Sequence, residues 1–240
     1  KEAFILLTSA QFQALCSAGP VLLDGATGSN LMKAGMPRGC CAEQWILENP
    51  QPLRELQRQY AQAGSHIRYA PTCQAQPMAL QRVGLEKDTE KVNARLIALS
   101  RQAAPDALIA GDITTLAAFT DSWDEGNFDL LVDNDRRQIR GLIDGGADLL
   151  VGETLLYPQE AEAILAAAEL EGAGAAIYSF TMQSAGFLFS GADAGPVLKS
   201  LEEAGAAAVG FNCVAADMMT ASLVSKLRRF VKGPIVCKPN

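Results

Sequence analysis

The sequence predicts an α/β protein, a parallel (β/α)8 barrel that lacks its eighth βα unit within these 240 residues. Apolar runs rich in β-branched residues alternate with helical patterns, which is typical of βα repeats. The runs are continuously apolar, so their sheet is expected to be covered on both faces. Gly146, Gly174, Gly205 and Gly233 recur at intervals of 28, 31 and 28 residues, one βα unit each. A barrel suits these units better than an open doubly wound sheet, which stays the alternative.

Each repeat has a helical pattern that ends at glycine, an apolar run, and a turn-rich segment that opens the next helix. The predicted strands are 21–26, 66–70, 108–113, 148–154, 176–181, 206–213 and 234–238. The predicted helices are 52–63, 89–103, 135–144, 159–170, 195–204 and 216–231. Because the chain stops at the tip of the seventh strand, we expect one domain over residues 1–240 that is truncated at its C-terminus.

Composition and charge exclude several classes of partner. The net charge of −7 and the absence of clustered Lys and Arg argue against a nucleic acid. No apolar run reaches the roughly 20 residues of a membrane-spanning helix, and the first residues lack a secretory signal pattern. The turn after the first strand carries no three-glycine dinucleotide motif, and the chain has no Walker motif. We expect a cytoplasmic protein that acts on a small molecule.

Six cysteines, at positions 16, 40, 41, 73, 213 and 237, are spaced too irregularly for a disulfide framework. The adjacent Cys40 and Cys41 lie in a Gly/Pro-rich loop that has no histidine nearby. Any metal site must therefore gather ligands from distant parts of the chain. Cys213 differs from the others because it ends a predicted strand, and the carboxyl ends of parallel strands are where such folds bind ligands.

Polar and acidic residues end the predicted strands and should meet at one mouth. They are Asp24, Thr72 with Cys73, Asp112, Glu153 with Thr154, Ser179 with Thr181, Asn212 with Cys213, and Asn240. Asp24 and Glu153 could hold an ammonium group between them, because a buried cation needs opposite charge and acceptors. Hydroxyls and backbone amides near Thr72 and Ser179 could bind a carboxylate. Together these groups suit a small amino acid.

Several segments resemble the homocysteine S-methyltransferase family, which includes betaine-homocysteine methyltransferase and the homocysteine domain of cobalamin-dependent methionine synthase. Residues 23–31 (LDGATGSNL) resemble the opening motif of that domain, and residues 210–213 (GFNC) resemble its Gly-X-Asn-Cys strand. Segments 63–72, 147–154 and 234–240 resemble its second, fourth and seventh strands with the residues around them. The resemblance extends over the chain from about residue 21 onward.

The resemblance implies a zinc-dependent methyltransferase of the EC 2.1.1 class that methylates the thiol of homocysteine, or a related thiol, to give methionine. In the family, three cysteine thiolates hold Zn²⁺, which lowers the pKa of the substrate thiol. Cys213 would be the first ligand, and the other two, an adjacent pair, are expected beyond Asn240. Catalysis would need no group besides the metal-activated thiol. The resemblance places these substrate-binding residues in the chain: Asp24, Gly25, Thr72, Glu153, Ser179 and Asn212.

The sequence departs from the family pattern at Tyr69 to Cys73, where many relatives carry a Glu-Thr-Asn-Thr-Phe-like run, so the thiol acceptor stays open. Betaine, S-methylmethionine or a methyl-corrinoid remain possible donors, and the last would make a corrinoid protein a partner. The alternative function is a non-catalytic or metal-free barrel that binds an amino acid or a methyl-carrying partner. A Schiff-base aldolase is a lesser alternative, for which Lys238 is the only lysine close to a strand tip.

Other residues have structural interpretations. Asp24 before Gly25 could be a simple turn residue, and Cys213 could be an inert buried thiol. His66 begins a strand at the face away from the mouth. We expect the acidic stretch 121–135 to be a solvated loop.

Overall fold

The computed structural model describes residues 6–120, 125–183, 185–216 and 221–240. Within these ranges, six β-strands alternate with helices, as the βα pattern predicts. The strands are β1 (Ile67–Tyr69), β2 (Leu108–Thr114), β3 (Leu149–Leu155), β4 (Ala176–Phe180), β5 (Ala208–Asn212) and β6 (Ile235–Lys238). The helices are α1 (Ser9–Ser17), α2 (Gly28–Lys33), α3 (Ala42–Glu48), α4 (Pro50–Gln62), α5 (Pro77–Leu80), α6 (Thr89–Ala103), α7 (Glu125–Gly145), α8 (Pro158–Leu170), α9 (Ala194–Glu203) and α10 (Ala221–Arg228).

The strands form one parallel sheet in the order β1 to β6, so each strand pairs with the next strand in the sequence. This order is that of a barrel wall, and the sheet curls into an incomplete barrel. The prediction of a strand at 21–26 is only partly confirmed, because Leu23 forms an isolated parallel bridge to Ile67 rather than a strand. Asp24 nevertheless continues along β1, since its N–H donates to the Ile67 carbonyl at 3.0 Å.

Two apolar layers lie on the two faces of the sheet. The inner layer, which we call the lumen core, contains Ile67, Val151, Ile177 and Val236, with Phe12 below them. The outer layer packs the other face of the strands against the surrounding helices, with Tyr178, Phe180 and Phe211 as its largest fully buried side chains. Since successive residues of a strand point to opposite faces, continuous apolar runs satisfy both layers.

Helix α1 closes the floor of the lumen, at the end opposite to the mouth. Thr8 caps this helix through a capping box with Gln11, and Phe12 on its inner face is 3% exposed. The preceding Leu7 pairs with the residues directly before β3 and β4: its N–H donates to the Asp148 carbonyl at 2.7 Å, and its carbonyl accepts the Ala175 N–H at 2.5 Å. The N-terminal segment is thus tied into the base of the sheet.

The prediction of a solvated loop at 121–135 is wrong for residues 125–135, which open α7; residues 121–124 lie outside the described part of the chain. Asn134 and Asp135 are buried against the fold. Arg137 binds Glu90 of α6 through two 2.8 Å contacts, and Arg136 and Arg140 both bind Glu171. The stretch is therefore helical, and the arginines that directly follow it pair with carboxylates on α6 and at the end of α8.

Among the described residues, no helix combines the length and the apolar composition that a membrane crossing requires.

Candidate active site

The carboxyl ends of the strands surround an open cleft of about 1360 Å³ that runs from Phe12 at the floor to Cys213 at the mouth. Side chains on the same face of the strands as the lumen core line this cleft at the strand ends. They are Tyr69 on β1, Asp112 on β2, Glu153 on β3, Asn212 on β5 and Lys238 on β6, with Asp24 beside β1. The predicted convergence of strand tips is therefore seen in the structure.

Three carboxyl groups and one ammonium group form an acidic cluster in this cleft: Asp24, Asp112, Glu153 and Lys238. The Nζ of Lys238 lies 3.0 Å from Glu153 Oε1 and 3.5 Å from Asp24 Oδ1. It also stands 3.7 Å from the centroid of the Tyr69 ring, a cation–π distance. Asp24 is held in place by the Tyr69 backbone N–H, which donates to Oδ2 at 2.9 Å.

The acidic cluster is deeply buried, and this changes the acidity of its members. Burial raises the pKa of Asp24 to about 6, although Lys238 and the Tyr69 N–H lower it. Burial, followed by the neighbouring Glu153 carboxylate, raises the pKa of Asp112 well above its ordinary value. Burial opposes the charge of Lys238, but the surrounding carboxylates, Glu153 first, raise its pKa overall. The lysine is therefore a permanent cation at neutral pH.

The acidic cluster contains more acceptors than its lysine satisfies. Asp24 Oδ1 and Asp112 Oδ1 are both buried, and neither has a hydrogen-bond partner within the described ranges. Both side chains are almost fully enclosed, at 6% and 5% exposure. Since a buried carboxylate without a donor is costly, the geometry favours a further cation or proton at this place. An ammonium ligand fits that requirement.

A second group, the sulfur arm, consists of Thr154, Asn212 and Cys213 at the ends of β3 and β5. The Asn212 amide binds both polar groups of Thr154, accepting from its N–H at 2.9 Å and donating to its Oγ1 at 2.7 Å. The Thr154 hydroxyl lies 3.6 Å from Cys213 Sγ. Because Oγ1 already accepts from Asn212, its own proton is free to point at the sulfur.

Backbone strain is concentrated in the sulfur arm. Thr154 and Cys213 have positive φ angles, 61° and 51°, and they are the two non-glycine residues with this conformation in the described chain. Such angles are costly for a side chain that carries a Cβ, and most of all for a β-branched residue such as threonine. The Asn212 hydrogen bonds hold Thr154 in this conformation, and Cys213 is exposed at the mouth.

The remaining predicted site residues lie in different surroundings. Thr72 is fully buried, and its hydroxyl exchanges hydrogen bonds of 2.9 Å with the backbone of Asp112. Ser179 is also buried, with its hydroxyl 3.4 Å from the Gly152 carbonyl. Gly25 lines the cleft, and a Cβ there would meet the Tyr60 hydroxyl oxygen at 2.8 Å. Thr72 and Ser179 thus support the walls, while Gly25 allows close approach of Tyr60.

Two residues beside the cleft were not assigned a role from the sequence. Glu43 of α3 is buried, and its carboxylate accepts from the Gln74 N–H at 3.0 Å and lies near the Cys41 and Cys73 thiols. Lys238 was considered only as a Schiff-base candidate. A sequence signal existed for Lys238, since a lysine that ends an apolar strand needs buried carboxylates as partners. Glu43 carries no comparable signal, because it lies in an ordinary helical pattern.

The thiols of the described residues do not assemble a metal site. Within the described ranges, no group of three or more Cys, His, Asp or Glu side chains could hold a metal ion. Cys213 is at the mouth, while Cys237 precedes Lys238 on β6 and so points to the opposite face of the sheet. The described residues therefore do not supply the three protein ligands of a catalytic zinc site.

Comparison with known proteins identifies the family. The profile of the family described as "Homocysteine S-methyltransferase" matches residues 21–240. Homocysteine S-methyltransferase of Escherichia coli strain K12 is 28% identical over 92% of this chain and 77% of its own length. Betaine--homocysteine S-methyltransferase 1 of Mus musculus is 27% identical over 82% of this chain and 49% of its own.

The fold agrees with this result. The crystal structure of the metallated form of the homocysteine methyltransferase MmuM from Escherichia coli superposes with a TM-score of 0.84 and 26% identity, over 95% of this chain and 86% of that one. Its apo form gives a TM-score of 0.77. The curled parallel sheet is therefore the barrel wall of the same architecture. The matched residues and the shared fold show that this chain belongs to the homocysteine S-methyltransferase family, a family of methyltransferases.

Proposed function

We propose that the chain transfers a methyl group to the thiol of homocysteine and so produces methionine. The observation that carries this proposal is that the acidic cluster and the sulfur arm share one mouth in a member of this family. The acidic cluster offers buried carboxylates for an ammonium group, and the sulfur arm presents an exposed thiol. A ligand that carries both an ammonium and a thiol matches this pair of groups.

The spacing of the two groups supports a short amino acid. Glu153 of the acidic cluster and Thr154 of the sulfur arm are consecutive residues, whose Cα atoms lie about 3.8 Å apart. On the other side, the Cys213 N–H donates to the Lys238 carbonyl at 3.2 Å. An amino acid with a side chain of a few atoms would therefore reach from one group to the other.

Zinc is the proposed cofactor, with Cys213 as one ligand. When bound, zinc would lower the pKa of the substrate thiol so that a thiolate is present at neutral pH. The described residues do not complete a zinc site. The described residues bind and orient the substrate. Asp24 and Glu153 bind its ammonium group, and Asn212 holds the strand end that carries Cys213 in place.

The test is methyl transfer to homocysteine by the zinc-supplemented protein, together with any residues that follow Asn240, with betaine, S-methylmethionine or a methyl-corrinoid protein as donor. We expect turnover with one of these donors and its loss in Cys213→Ala. Cys237→Ala is the matched control, because Cys237 faces the other side of β6, and it should retain turnover. Zinc content measured on the same three proteins should fall in Cys213→Ala alone. Turnover that persists without Cys213 would contradict the proposal.

The same assay examines the non-catalytic alternative. Homocysteine binding without turnover from any of the three donors would favour a barrel that binds an amino acid or a methyl-carrying partner. In that case the acidic cluster would still bind the ammonium group of the ligand, but the sulfur arm would take no part in methyl transfer.

A further inference from the structure

The position best suited to a substrate ammonium is already filled by an ammonium of the chain itself. The Nζ of Lys238 has Glu153 at 3.0 Å, Asp24 at 3.5 Å and the face of Tyr69 at 3.7 Å. Two carboxylates and an aromatic face are the groups that recognise an ammonium ion. The lysine side chain is 18% exposed, so this site is almost closed around it.

The ammonium group of a ligand cannot take the position between Asp24 and Glu153 while Lys238 Nζ fills it, because two ammonium groups cannot occupy the same space. If the ammonium of homocysteine binds between Asp24 and Glu153, Lys238 must first leave that position. The lysine has four methylenes and ends β6 beside the open cleft. Its Nζ can therefore move while its backbone stays paired with Cys213.

We propose that Lys238 is a resident counter-ion that occupies the ammonium subsite of the free chain and is displaced when the amino-acid substrate binds. This inference rests on the proposed function, since it assumes that the ligand carries an ammonium group. It makes Lys238 a specificity-determining residue. An amine alone gains little by exchanging one ammonium for another, so only a ligand with further contacts, such as a thiol at the sulfur arm, displaces the lysine.

The unfilled acceptors of the acidic cluster are a second and independent observation. Asp24 Oδ1 and Asp112 Oδ1 are buried and lack hydrogen-bond partners in the described chain, although Lys238 is close by. The lysine therefore occupies the subsite without satisfying it completely. The ammonium group of a separate ligand is not attached to β6, so it could donate hydrogen bonds to these oxygens with better geometry than Lys238 does.

The test compares homocysteine binding by calorimetry under reducing conditions for the unmodified chain, Lys238→Met and Lys232→Met. Methionine keeps the apolar stem of Lys238 and removes its charge. We expect homocysteine to bind Lys238→Met about tenfold more tightly, a change of about 1.4 kcal/mol. Lys232→Met is the control, since it removes the same charge from an exposed lysine that also lines the cleft. A general electrostatic effect would appear in both variants, whereas we expect the dissociation constant of Lys232→Met to equal that of the unmodified chain.

An analogue without the amino group, 4-mercaptobutanoate, separates displacement from a general effect on the cleft. Its binding should be the same in the unmodified chain and in Lys238→Met, because it needs no ammonium subsite. Lys238→Arg keeps the charge and should bind homocysteine as the unmodified chain does. Lys238→Gln serves if Lys238→Met does not fold, because its amide still donates to Glu153, and it should also bind homocysteine more tightly.

Unchanged homocysteine binding in the neutral variants would overturn the inference. Weaker binding would overturn it as well, and is the result expected if Lys238 binds the substrate carboxylate instead. Equal tightening of homocysteine and 4-mercaptobutanoate would overturn it too. The proposed function fails on a different result, the absence of methyl transfer by the zinc-supplemented protein that includes any residues following Asn240. Binding that tightens in Lys238→Met without any turnover would thus support the displaced lysine and refute the methyltransferase.

Discussion

Asp24→Asn should make the fold more stable at neutral pH while weakening the proposed ammonium subsite. Burial raises the pKa of Asp24 from 3.8 to about 6. A carboxyl whose pKa is higher in the folded state than in the unfolded state binds its proton more tightly when folded. Its contribution to stability is therefore complete below the unfolded value of 3.8 and is lost as the pH rises to about 6.

The size of the effect follows from the two pKa values. At about 1.4 kcal/mol per pH unit, the difference between them corresponds to ~3 kcal/mol at neutral pH, and to about 1 kcal/mol near pH 4.5. Asparagine has nearly the same shape, carries no charge, and can still accept the Tyr69 N–H through its amide oxygen. Lys238 keeps Glu153 as its partner. The variant should therefore recover most of the lost free energy.

The assay is urea unfolding of the unmodified chain and Asp24→Asn at several pH values between about 4.5 and 7.5, with Asp106→Asn as control. Asp106 is exposed, so its variant should follow the unmodified chain at every pH. We expect the advantage of Asp24→Asn to grow with pH. An advantage that does not change with pH, or a less stable variant at neutral pH, would refute the account of Asp24 as an ionised buried carboxylate.

Three further predictions concern residues around the cleft and behind it. Asn212→Ala should lower the free energy of unfolding by ~1–3 kcal/mol, because it leaves the Thr154 N–H and hydroxyl without their partner. Urea unfolding measures this, and an unchanged free energy of unfolding would contradict it. Asp135→Asn should stabilise the fold by ~4 kcal/mol at neutral pH, since burial raises the Asp135 pKa to about 8. The difference in Tm between this variant and the unmodified chain should widen as the pH rises from about 5 to 8. A difference in Tm that stays constant would contradict the prediction. Gly210→Ala should cost ~3 kcal/mol or more, because its Cβ would meet the backbone of Val236 on the adjacent strand; Gly28→Ala, where a Cβ meets nothing within 4 Å, is the control.

The sequence was a good guide to the repeating units, because continuous apolar runs and helical periodicity report burial directly. Helix α6 begins and ends at the predicted residues, 89 and 103. Segment 21–26 was harder, since an apolar run predicts burial but does not say whether a neighbour completes a ladder of hydrogen bonds. The acidic segment that opens α7 differs from the predicted loop because charges on the exposed side of a helix give the same local pattern as a solvated loop. Asp129 and Asp133 are exposed on α7, while Leu131, Val132 and Asp135 are buried.

The candidate site was only half visible in the sequence. Asp24, Glu153, Asn212 and Cys213 could be named because each ends a strand, and strand ends converge in this architecture. The partner of the first two, Lys238, could not be placed because charge pairing across a barrel depends on register, which no local pattern reveals. The positive φ of Cys213 is equally invisible, since it follows from the way β5 ends.

The floor of the lumen has a practical consequence for anyone who excises this barrel. The family match begins at residue 21, yet Leu7 and Phe12, which close the floor of the lumen, lie before that residue. A fragment trimmed to the matched range would expose the bottom of the lumen core to water and free the Asp148 and Ala175 backbone groups. The lumen of such a fragment would be open at both ends, so a ligand could leave it from either end.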